Sequence, residues 1–123
     1  MAETVVPITA LTAGTVVADV EGTAIDASKT VVITPTERLD KLIIRLVNTT
    51  AATKVMTVLA GDNPPADAAG QGALAISFAD GSSTPVVKYL SGLESARYLQ
   101  SDGTVQITFA TSTTGFVTAF QLP

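Results

Sequence analysis

The side chains able to do chemistry in this sequence are carboxylates, lysines, hydroxyls and two tyrosines; histidine and cysteine are both absent from its 123 residues. General-base imidazole, thiolate nucleophiles and the usual transition-metal ligands are therefore missing. Two carboxylates could in principle hydrolyse a glycoside, and Glu21 with Asp26 or Glu37 with Asp40 are nominal pairs. Any acidic chain offers such pairs, so they read as solvated surface groups and no catalytic residue is assigned. Asp62, Asn63 and Asp67 place oxygen ligands on one segment, but the alternating acidic spacing and closing glutamate of a calcium loop are missing. A proline-stiffened turn explains them, and no metal or cofactor is expected. Asn48-Thr49-Thr50 fits a glycosylation acceptor and reads as a turn. Tyr89 and Tyr98 are the two aromatics whose rings could be exposed for a sugar or a base, although a ring at the rim of the core accounts for each.

Composition narrows the function classes further. Seven basic and eleven acidic residues give a net charge of −4, with no two basic residues adjacent. Nucleic acid and anionic membrane both require a clustered positive face, so neither is an expected partner. Leu42 to Val47 is the densest apolar stretch, is interrupted by Arg45, and is far too short to span a bilayer. Only 15% of residues are charged, against roughly 25% in an average soluble protein. A surface rich in Thr, Ser, Ala and Gly suits a particle that packs against neighbours. Met1-Ala2-Glu3-Thr4 lacks the basic and apolar regions of a secretory leader, so synthesis in a cytoplasm is expected.

The elements that would position these residues are strands. Thr and Val dominate, and Gly, Pro and Asp-Gly punctuation recurs at the spacing of a sandwich or barrel. Candidate strands run over Thr15 to Ala18, Thr30 to Thr34, Lys41 to Asn48, Lys54 to Ala60, Ala73 to Ala79, Pro85 to Leu90, Glu94 to Gln100, Val105 to Phe109 and Phe116 to Leu122. Lys41 to Asn48 is apolar on both faces, as a central strand would be, and an antiparallel hairpin with Lys54 to Ala60 is the natural pairing. Asp102-Gly103 is the strongest hairpin-turn signal. The expected fold is all-β: about eight short strands in an antiparallel sandwich of jelly-roll or immunoglobulin-like kind, or a flattened barrel. Residues 1–13, with Pro7 and no clean alternation, read as an extended N-terminal arm, and residues 14–123 as the β domain. The arm should contribute little to the core, so a chain starting at Leu11 should still fold.

Three segments carry a family resemblance: Val5-Val6-Pro7-Ile8-Thr9, Ala60-Gly61-Asp62-Asn63-Pro64-Pro65-Ala66, and Leu93-Glu94-Ser95-Ala96-Arg97-Tyr98-Leu99-Gln100-Ser101-Asp102-Gly103, with the terminal Phe120-Gln121-Leu122-Pro123. Together they resemble capsid decoration, or head auxiliary, proteins of tailed bacteriophages. The resemblance implies a non-catalytic virion protein that binds the outside of an assembled head, with the major capsid protein as partner. Such proteins often assemble as homotrimers. Val5, Val6, Ile8 and Leu11 on the arm and the Arg97 guanidinium are the candidate capsid contacts, Arg97 being equally able to pair internally with Glu94 or Asp102. A tail or baseplate accessory module, or a host-surface adhesin domain, is the alternative; an adhesin would want clustered exposed aromatics or a calcium site.

Overall fold

A computed structural model describes residues 3–11, 14, 22–35, 41–59, 73–91, 98, 100 and 103–122. Among them are ten strands: β1 (Glu3–Val5), β2 (Ile8–Ala10), β3 (Thr23–Ala24), β4 (Thr30–Ile33), β5 (Leu42–Asn48), β6 (Lys54–Val58), β7 (Leu74–Phe78), β8 (Val86–Leu90), β9 (Val105–Phe109) and β10 (Gly115–Gln121). They form two open sheets, one in the order β1-β4-β9-β6-β7 and the other β2-β10-β5-β8, with β3 also on β10. The fold is an all-β sandwich, and the sheets do not close into a barrel.

Period-two alternation builds the core between the sheets. From β5, Leu42, Ile44 and Leu46 are fully buried; from β10, Val117 and Ala119 meet them. The opposing sheet supplies Val31 and Ile33 from β4, Met56 and Val58 from β6, Phe78 from β7, and Val105 and Ile107 from β9. Two-sided apolarity does place β5 centrally, between β10 and β8.

The expected hairpin of β5 with β6 does not form. β6 pairs with β7 and β9 in the opposite sheet, so residues 49–53 arch across the sandwich. Residues 79–85, from β7 to β8, and residues 110–114, from β9 to β10, make the same crossing. Asn48, fully buried, ties the first two arches together: its side-chain amide donates to the Ala79 carbonyl at 2.8 Å, and its Oδ1 accepts from the Thr50 amide at 3.1 Å. Gly81 N donates to Thr50 O, and Thr49 N to Thr114 O, completing the knot. Asn48→Ala removes the side-chain partners of the Ala79 carbonyl and the Thr50 amide, both part-buried, and empties a fully buried side-chain site, at about 1–3 kcal/mol in all. A fall in thermal midpoint of roughly 10 °C is expected, read by circular dichroism.

The N-terminal segment departs most from expectation. It is extended, but it is woven into both sheets instead of lying outside them. β1 runs parallel to β4 and β2 parallel to β10, so the sheets are mixed where antiparallel ones were expected. The chain changes sheet at Val6-Pro7. Pro7 has no N–H to offer a ladder, while Val6 is 2% exposed in the core and its amide bonds Val32 O at 3.0 Å. One strand of the crossing serves each sheet, so the segment staples the sandwich.

Of the other expected strands, Thr15 to Ala18 lies outside the described residues. Glu94 to Gln100 does not hold at Tyr98, whose backbone is helical and whose ring is buried in the core. Gly103 does turn with a φ of +83°, its amide bonded to Gln100 O. The turn delivers Thr104 to β9, with no strand among the described residues just before it.

Candidate binding face

Asp26 and Asp80 show what the described acidic groups do. Each closes a local Asp-x-Ser turn: Asp26 accepts from the hydroxyl and amide of Ser28, and Asp80 from the amide and hydroxyl of Ser82. The Ser28 hydroxyl and amide, helped by the Lys29 charge, hold the Asp26 carboxyl below its ordinary value; the Ser82 amide and hydroxyl do the same for Asp80. These fully exposed carboxylates stay ionised, and their local stabilisation is complete above the ordinary aspartate pKa and fades as pH falls through the lowered one. That is the reverse of a catalytic acid, whose proton must survive near neutrality. Glu21, Glu37, Asp40, Asp62, Asn63 and Asp67 lie outside the described residues. Among the described residues no three acidic groups gather as metal ligands. Asn48 is the last residue of β5, fully buried with its amide engaged, and the chain bends just after it.

Register defines the outer face of the second sheet. Val87 of β8, Val47 of β5 and Phe116 of β10 stand opposite one another in one row; Tyr89, Arg45 and Thr118 form the next; Ile43 and Phe120 begin a third. A sheet face turned away from the core usually carries polar residues, yet this one is dominated by Val, Ile, Phe and Tyr. Val47 and Thr118 are buried beneath their surroundings, whereas Val87 is 38% and Tyr89 66% exposed. The solvent-facing part of the surface is thus its β8 flank, with Ile43, Phe116 and Phe120 half-buried behind it.

The same strand carries a device against edge-to-edge pairing. Among the described strands β8 borders its sheet, and Lys88, between Val87 and Tyr89, points inward. Its ammonium spans the gap to the opposing sheet, donating to Ser77 O at 2.6 Å and sitting 5.2 Å from the centre of the Phe78 ring. An inward charge on an edge strand discourages another strand from adding there. The exposed large apolar groups of β8 are those on its outer face, Val87 and Tyr89.

The candidate contacts read from the sequence are dispersed. Val5 is 69% exposed on β1. Val6 is sealed in the core and cannot reach a partner. Ile8 packs against the core from its margin, and Leu11, half-buried, is tied to β10 by its amide bond to Gln121 O at 2.8 Å. Arg97 lies outside the described residues. The sequence reading did not single out Val87 or Arg45, and it weighed Tyr89 as a sugar or base platform against a ring at the rim of the core; Tyr89 is 66% exposed. The available signal was the two-sided apolarity of Leu42 to Val47, whose second side carries Ile43, Arg45 and Val47.

Two clefts open among the described residues. One, about 700 Å³ and open, lies between Ile25–Ser28 and Thr111–Thr114, with Ser and Thr residues making up much of its lining. The other, about 260 Å³, lies where β2 and β3 both reach β10, between Pro7, Gly22 and Thr118. No helix among the described residues is long and apolar enough to cross a membrane.

Comparison with known proteins returns no matching family model, no matching curated protein and no matching solved structure.

Proposed function

We propose that the protein is a non-catalytic capsid decoration protein, which binds the outer surface of an assembled phage head through the β8 flank of its second sheet and has the major capsid protein as partner. The observation that carries the binding half is the apolar outer face of β8, β5 and β10, with Tyr89 and Val87 open to solvent at its margin. Tyrosine supplies contact area at low entropic cost, and interface energy concentrates on such residues. The capsid as target rests on the resemblance of the three sequence segments. Phe78 and Tyr98 are buried and Phe109, Phe116 and Phe120 half-buried, which leaves Tyr89 as the single largely exposed ring and favours a protein surface over a stacked sugar.

Co-sedimentation with undecorated, expanded heads tests this. The wild-type chain is expected to pellet saturably, and Val87→Ser with Tyr89→Ser to lose about tenfold or more in affinity while melting as the wild type does. A wild-type chain that stays in the supernatant removes the capsid reading. A folded double variant that still binds removes the β8 flank.

A further inference from the structure

We infer that Arg45 is the anchor for a carboxylate on the bound partner, an acidic side chain set among apolar ones that docks between Tyr89 and the β10 row. The inference rests on the binding face proposed above and names the chemistry that face selects.

Arg45 stands at the middle of the second row, with Tyr89 directly opposite on one side and Thr118 on the other. Its neighbours along and across the strands are Ile43, Val47, Phe116 and Phe120, none of which can accept a hydrogen bond through its side chain. Three other cations are tied down: Lys29 to Asp26 at 3.8 Å, Lys54 to Thr111 O at 2.7 Å and Lys88 to Ser77 O. Arg45 has no such tie. Its Nε is out of solvent without an acceptor, and so is the Oγ1 of Thr118 opposite, a residue only 3% exposed. The two terminal amino groups of the guanidinium are not sealed in this way and remain the open end of the fork.

A guanidinium held in an apolar surround, with one edge sealed and the other open, is incomplete. The planar fork matches a carboxylate through two parallel hydrogen bonds. Apolar walls lower the local dielectric, so an opposite charge entering there is attracted more strongly than at an ordinary wet surface. The surrounding apolar residues set the second requirement, since a partner that covers them must itself be apolar on either side of its acid. Arginine and tyrosine adjacent on an otherwise largely apolar patch is also the composition of an interface hot spot.

The test has two arms on the full chain. In the first, 15N-labelled protein is titrated with a capped leucine–glutamate–leucine tripeptide and with its glutamine counterpart. The glutamate peptide is expected to shift the Arg45 side-chain Nε–Hε and the Tyr89 amide, the glutamine peptide not, and Arg45→Gln to abolish the difference. Equal shifts with both peptides, or none with either, overturn the proposal. In the second arm, Arg45→Gln is expected to weaken head binding by about tenfold, and Arg45→Lys, which keeps the charge but not the fork, by less. Thermal melting confirms that both variants fold. Wild-type-like head binding by Arg45→Gln overturns the proposal. Should the wild-type chain itself ignore heads, the capsid reading fails and the peptide arm alone decides whether Arg45 takes a carboxylate.

Discussion

A chain beginning at Leu11 is expected to lose its cooperative thermal transition or to melt at least 15–20 °C lower, since each kcal/mol moves the midpoint of a domain this size by about 3–4 °C. The deletion removes β1 and β2, one strand from each sheet, together with the crossing that joins them. Val6 alone, buried to 2% exposure, represents about 1.5–3 kcal/mol of apolar burial. Ile8 also leaves the margin of the core, and Val32 O and the outer side of β10 lose main-chain partners. A total loss of about 5 kcal/mol is comparable to the whole stability of a small domain. Circular dichroism melting of the truncated chain checks this. A midpoint within a few degrees of the wild type would show that the segment is dispensable to the sandwich. The consequence for function is direct: head binding by a truncation cannot be read as a contact effect until folding is shown.

Gly115→Ala, where the third arch enters β10, is expected to cost about 3 kcal/mol or more. Gly115 opens β10 opposite Asn48 with a φ of +149°, a region that L side chains rarely occupy. A Cβ there would stand 2.8 Å from the Val47 carbonyl carbon and closer still to its oxygen, and both are backbone atoms of the central strand. Neither can give way without moving β5, and Asn48, the tie between arches, sits next to the collision. Gly103→Ala serves as the control: its φ is also positive, but nothing lies within 4 Å of an added Cβ. Chemical denaturation should rank Gly115→Ala well below Gly103→Ala. Equal stability of the two would mean that close packing at the arch is unimportant.

The strands were legible because alternation is a local signal. Val105, Ile107 and Phe109, or Leu74, Ile76 and Phe78, declare a buried side whatever their partner strand is. Sheet membership was not legible, because the same alternation serves a strand whose successor lies beside it or across the core. At Asn48 to Thr53 the choice is made by an amide reaching Ala79, 31 residues away, and nothing local in a polar five-residue turn announces it. The N-terminal segment misled for a related reason. Three-residue strands are too short to show a period, and Pro7, which marks a crossing, looks the same as a proline in a free arm. The candidate site was half legible: Ile43, Arg45 and Val47 stood out as a second apolar side of β5, but Val87 and Tyr89 join them only through the register of β8.

Amide hydrogen exchange of the full chain, free and bound to undecorated heads, tests most directly the proposal that the β8 flank of the second sheet meets the capsid. Among the described strands β8 lies at an edge, so amides on its outer side are expected to exchange readily in the free protein. Slowed exchange over Val86–Leu90 on binding, with β7 at the far border of the other sheet unchanged, is the predicted result. Protection confined to Glu3–Val5 or Leu74–Phe78, with Val86–Leu90 exchanging as in the free protein, would contradict it.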